Sequence, residues 1–154
     1  MTDENTDKRI LQSTFRPAGW LKHRHLQTIF PSLPWAWREH PSLRREILHL
    51  PDGDSTAVDW VSAGDDLPRS APLLVVLHGL EGSAESSYAR MLVQAALQRQ
   101  WRPCVLHFRD CGDYRNPLPR RYHAGVTGGI RHCLQTLDDQ GQTGAILAVG
   151  YSLG

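Results

Sequence analysis

Residues Pro72–His78 (PLLVVLH) form a continuously apolar run ending in histidine, preceded by the polar stretch Gly64 to Ala71. A segment this short cannot cross a bilayer, which takes roughly 20 residues. Unbroken rather than alternating apolar character marks a strand covered on both faces, and such strands belong to parallel sheets. Cys104 to Phe108 and Ala145 to Val149 read the same way. Between these runs, Tyr88, Met91, Leu92 and Ala95 fall at helical spacing, and the serines between Ser83 and Ser87 offer caps, so a helix is predicted near Ser86 to Gln100. Ile130, Cys133, Leu134 and Leu137 give a second helical stripe. Upstream, alternation over Arg45 to Leu50, a Pro51-Asp52-Gly53-Asp54 turn and Thr56 to Val61 predict a β-hairpin. The order is a hairpin followed by β-α-β-α-β, which folds as an α/β layer structure on a mostly parallel sheet.

In open sheets of this kind chemistry gathers at the carboxyl ends of the strands. The three ends here are His78-Gly79-Leu80-Glu81-Gly82, Arg109-Asp110-Cys111-Gly112-Asp113 and Gly150-Tyr151-Ser152-Leu153-Gly154. The last fits G-x-S-x-G directly after a strand, the nucleophile elbow, in which flanking glycines permit a reversal too tight for a Cβ and the serine Oγ is lifted out of the sheet. Ser152 is the candidate nucleophile. Acyl transfer also needs fixed N–H groups for the developing oxyanion. The natural pair is the amide after the serine, Leu153, with one from the loop after the first parallel strand, Leu80, Gly79 letting that backbone come close.

These motifs, in order, resemble the YheT-like group of α/β-hydrolases, which includes EMB8 and ABHD proteins. Phe15, Pro17, Trp20, Leu21, His25, Gln27, Thr28 and Pro31 resemble its F-x-P…W-L…H-x-Q-T…P segment. Leu50 to Asp54, His78 to Ser83, and Phe108-Arg109 with Cys111 and Asn116 to Gly125 (NPLPRRYHAG) resemble its following blocks. The resemblance implies an α/β-hydrolase core over residues 43–154, a Ser-Asp-His triad, carboxylic or lipid ester substrates, and neither metal nor cofactor. The acid and base follow the serine in that fold, and only Leu153 and Gly154 follow Ser152 here. The sequence is therefore read as the amino-terminal part of such an enzyme, inactive by itself and with a bare apolar edge on its last strand. A noncatalytic product or interaction module on the same scaffold is the competing reading. His78, His107 and His123 are read as structural rather than as the base, and Asp110 and Asp113 receive no catalytic role. Asp110 stands where the family pattern has glycine, and Gly128-Gly129 predicts a late helix start near Ile130.

Composition narrows the partners. Seventeen Lys and Arg against 16 Asp and Glu leave a net charge of +1, which gives no field for nucleic acid. Cys104, Cys111 and Cys133 form no CxxC, and Cys111 with His107 and His123 matches no metal-ligand spacing. The polar, acidic MTDENTDKR start is read as disordered and not as a secretory signal, so the protein is expected in the cytoplasm. Residues 1–42 are read as an extension. Its Trp- and Pro-rich part, 15–37, is expected to pack on the domain as a lid or cover, with a peripheral membrane contact as the alternative. Oligomeric state is left open.

Overall fold

The computed structural model describes residues 13–33 and 41–154. The expectation of disorder over Met1 to Arg9 lies outside the described residues, as do Trp35 and Trp37. The chain divides into two compact units, Met1–Trp37 and Arg38–Gly154. In the first, 3-10 turns at Gly19–Leu21 and Phe30–Ser32 flank the short helix α1, Arg24–Ile29. Pro31 has no N–H to continue the α pattern. Trp20 meets Phe30 edge-on, with ring centroids 4.8 Å apart.

In the second unit, β1 (Leu43–His49) and β2 (Ser55–Val61) form the hairpin, and a 3-10 turn follows at Ser62–Gly64. Then come β3 (Leu73–Leu77), α2 (Ser87–Leu97), β4 (Arg102–Leu106), α3 (Gly128–Asp139) and β5 (Ile146–Gly150). The five strands lie in the order β1-β2-β4-β3-β5. The β1/β2 and β2/β4 pairs are antiparallel, and β3 runs parallel to both β4 and β5. Alternate residues explain the continuous apolar character of β3. Leu73, Val75 and Leu77 pack with Cys133 and Leu137 of α3. Leu74 and Val76 share the other core cluster with Ala89, Val93 and Ala96 of α2.

Two boundaries differ from expectation. β4 starts at Arg102, two residues before Cys104, because a charged side chain is accommodated there: Arg102 is buried, donates to Gln142 Oε1 at 2.5 Å, and lies 5.4 Å from the centroid of the Trp60 ring. Helix α3 begins at Gly128 rather than near Ile130. Its stability comes from packing of Ile130, Cys133, Leu134 and Leu137 on the sheet, which outweighs the glycine propensity cost in the first turn. Strand β5 forms the edge of the sheet, with Ile146 and Leu147 exposed among the described residues.

The register places the site. Leu77 pairs with Leu106 on one side and Gly150 on the other. The loops after β3, β4 and β5 therefore leave the sheet side by side at one end.

Candidate active site

The final ladder contact is the Tyr151 N–H donating to Leu77 O at 3.1 Å, after which the chain reverses and the Gly154 N–H donates back to Tyr151 O at 2.9 Å. Ser152 sits at the apex with φ +55°, a left-handed conformation that costs a non-glycine residue about 1–3 kcal/mol. Both flanking glycines are required. A Cβ on Gly150 would collide with the carbonyl of Gly154, and one on Gly154 with the carbonyl of Leu77.

The loop after β3 lies against this turn. A Cβ on Gly79 would stand 3.2 Å from Tyr151 O and 3.3 Å from Ser152 Cβ, so glycine is what allows the two backbones to meet. Gly79 to Gly82 is a tight turn closed by the Gly82 N–H donating to Gly79 O at 3.0 Å, with Glu81 at φ +51°. The donors of this loop can be followed one by one. The Gly79 N–H donates to the Tyr88 hydroxyl at 2.9 Å, and the Glu81 N–H to the Tyr122 hydroxyl at 2.7 Å. Gly82 is used within the turn. Among the described residues no acceptor takes the N–H of Leu80 or of Leu153. The Ser152 N–H likewise has no protein acceptor among the described residues, so the two amides nominated from the sequence are unengaged but not singled out by this.

His78 explains which way Leu80 points. It is fully buried; its Nε2 accepts the Phe108 N–H at 3.1 Å, so its Nδ1 carries the proton and donates to Gly79 O at 2.8 Å. A trans peptide aims its N–H opposite its carbonyl. Holding the Gly79 carbonyl inward thus turns the Leu80 N–H outward. Burial lowers the imidazole's pKa, which keeps His78 in the neutral form these bonds require.

The loop after β4 buttresses this arrangement. Asp54 of the hairpin turn is buried and accepts from Arg109 at 2.5 Å, Asn116 at 2.9 Å and the Leu118 N–H at 3.2 Å. Asp52 takes Arg109 at 2.8 Å and Arg120 at 2.6 Å. Burial pushes the Asp54 carboxyl up, but these donors outweigh it and hold the group below its ordinary value. Tyr122 stands at the end of that pinned loop, stacked on Phe108 with centroids 5.1 Å apart. Asp110 has φ +61°, which accounts for glycine at this place in the family pattern. Its carboxylate is taken by Arg115 at 2.6 Å and Arg121 at 2.7 Å.

His107 and His123 are engaged elsewhere. His107 Nε2 lies 2.7 Å from Asp59, and Gly112 covers its Nδ1 so closely that a Cβ there would collide with the ring. His123 Nδ1 is 2.8 Å from its neighbour's carbonyl, Ala124 O. Cys104, Cys111 and Cys133 are free and buried, and burial pushes the Cys133 thiol up to about 11. Among the described residues no group of three or more His, Cys, Asp or Glu side chains is disposed to hold a metal ion. No helix among them is long and apolar enough to cross a membrane.

Sequence reasoning passed over Tyr88 and Tyr122, whose hydroxyls act 9 and 41 residues away in the chain. It also passed over the chain of contacts Arg45–Asp59–His107, whose last two members are buried. A usable signal existed for that chain, since the hairpin turn sets Arg45 directly opposite Asp59.

The chain aligns along its whole length with the YheT protein of Escherichia coli K12, 38% identical over 162 aligned positions that cover 45% of that relative. It belongs to the YheT-like α/β-hydrolases. The embryogenesis-associated protein EMB8 of Picea glauca is 31% identical over 91% of this chain and 32% of its own length. The monoacylglycerol lipase of Saccharomyces cerevisiae is 32% identical over 54% of this chain and 19% of its own. This YheT-like chain thus spans less than half the length of the curated relatives it matches. Among solved structures, an esterase of Pyrococcus furiosus superposes with a TM-score of 0.59 at 18% identity, covering 74% of this chain and 43% of that one, which shows the shared fold. No protein-family model matches the chain.

Proposed function

We propose that this chain supplies the nucleophile and oxyanion hole of a serine ester hydrolase, with Ser152 as nucleophile and the Leu80 and Leu153 amides as donors. The observation that carries the reading is a serine held at φ +55° on a turn packed against Gly79, with the Leu80 and Leu153 N–H groups taken by no acceptor among the described residues. Ser152 Oγ attacks the ester carbonyl as an imidazole takes its proton. The oxyanion settles between the two amides, the alcohol leaves with the proton returned by the imidazolium, and water then releases the acid. The imidazole and its orienting acid follow the serine in α/β-hydrolases. Residues 43–154 form the nucleophile-bearing half of the core. Lipid esters are the favoured substrates, because similar proteins include a monoacylglycerol lipase and, at 21% identity, a human phospholipase. Three free thiols fit a reducing compartment.

The test is a fluorophosphonate probe applied to the protein expressed from the full reading frame. Labelling is expected at Ser152 and is expected to vanish in Ser152→Ala. Undiminished labelling of that variant would remove Ser152 from the mechanism.

A further inference from the structure

We infer that Tyr88 is a positioning residue that sets the distance between the two oxyanion donors. The inference rests on the assignment of Ser152, Leu80 and Leu153 proposed above. One oxygen must be met by both amides at about 2.7–3.1 Å, yet they belong to loops that leave two different strands. The β3/β5 ladder ties those strands only as far as the Tyr151 N–H to Leu77 O bond. Beyond it, side chains must hold the register.

Tyr88 holds both loops at once. Its hydroxyl accepts the Gly79 N–H at 2.9 Å on the oxyanion loop. Its ring stacks on Tyr151, the residue before Ser152, with centroids 4.1 Å apart and planes at 23°. The hydroxyl also explains a second glycine in the loop, because a Cβ on Gly82 would come within 2.5 Å of it. The anchor is rigid: Tyr88 lies in the first turn of α2, beside Ala89, and Ala89, Val93 and Ala96 are buried against the sheet. By taking the Gly79 N–H, Tyr88 also removes a competing donor one residue from Leu80. It touches no reacting atom in this scheme and acts through the geometry of the amides.

The experiment uses the full-length protein with p-nitrophenyl butyrate as substrate, comparing wild type, Tyr88→Phe, Tyr88→Leu and Ser152→Ala. Tyr88→Phe keeps the ring stack and deletes one acceptor oxygen, while Tyr88→Leu deletes both links. A donor displaced by about 1 Å costs on the order of 100-fold, so kcat is expected to fall roughly 10-fold in the phenylalanine variant and about 100-fold in the leucine variant. KM should stay within about 3-fold, because the ground-state ester depends far less on the oxyanion donors than the transition state does. A trifluoromethyl ketone, whose bound hemiketal carries the oxyanion, should lose affinity in parallel with kcat/KM.

A purely structural tyrosine would lower the thermal midpoint without separating kcat from KM. Tyr88→Phe with kcat and ketone affinity within 2-fold of wild type, or with its loss confined to KM, overturns the inference even if the leucine variant fails to fold. Should Ser152→Ala turn over as fast as wild type, the underlying site assignment fails instead.

Discussion

Replacing Asp59 with leucine removes a carboxylate that is 2% exposed and accepts bonds from Arg45 at 2.7 and 2.8 Å and from His107 at 2.7 Å. The two partners it releases differ in what they can do next. Arg45 has a side chain 36% exposed, so its guanidinium turns to water at little cost. His107 has no exit, with a side chain 0% exposed and an Nδ1 already without a partner among the described residues. The single change therefore strands an imidazole with two unpaired nitrogens in the interior. That should cost about 3 kcal/mol, the lower end for breaking a buried pair because one charge escapes. The reverse change, His107→Leu, leaves Asp59 both bonds from Arg45 and should cost about 1–2 kcal/mol.

In the double variant neither orphan remains, so its loss should fall short of the sum of the singles by about 1.5 kcal/mol or more. Urea midpoints of the full-length protein, compared at constant m, measure all four corners of the cycle. Additivity within about 0.5 kcal/mol would refute the reasoning, because it would mean that His107 does not depend on Asp59. The pH dependence has a definite sign. Burial pushes the Asp59 carboxyl up, but hydrogen bonds from Arg45 and His107 outweigh it and hold the group well below its ordinary 3.8. Its contribution is therefore full above that value and lost as pH falls through the folded pKa.

Two further expectations follow from the loops. Gly154→Ala drives a methyl into the Leu77 carbonyl, and Gly150→Ala drives one into the Gly154 carbonyl; each should abolish fluorophosphonate labelling, and a labelled alanine variant would show that the turn is less tight than described. His78 has its pKa lowered by burial from 6.5, so below that value the unfolded chain binds the extra proton more readily and the fold loses stability. Thermal midpoints of the full-length protein should fall between pH 7 and 5, and a midpoint that rises over that range contradicts a neutral, doubly bonded His78.

The elements were legible wherever one physical signal dominated. Two-sided burial wrote β3 as an unbroken apolar run, and the Asp-Gly turn chemistry at Asp52-Gly53 fixed the hairpin. The elbow was legible because its glycines answer a local collision that no other residue avoids. Where an interaction depends on distant partners, the sequence was silent. Arg102 reads as lying outside the strand until Gln142, 40 residues on, is seen to accept from its guanidinium. Tyr88 reads as one more apolar position on a helical stripe, since periodicity registers the ring and not the reach of its hydroxyl. Asp110 reads as a departure from the family pattern until its φ of +61° and its two arginine partners are seen together.

The same contrast bears on how the site is divided along the chain. The Leu80 amide is turned by His78, just after β3, and is flanked by a Gly79 N–H held by α2 and a Glu81 N–H held by the loop after β4, while Gly79 packs against the serine turn after β5. Every one of these groups lies between Leu77 and Gly154, on α2 or in the loops that leave three parallel strands whose ends are level. Oxyanion stabilisation is often the largest single contribution to acyl transfer, and it works because donors are fixed before the charge appears. On the proposed assignment, the groups that hold these donors are all present here, and the base need only come within reach of Ser152. An enzyme assembled this way should keep its oxyanion geometry when the imidazole is deleted, and retain the fraction of its rate enhancement that donors and binding alone provide.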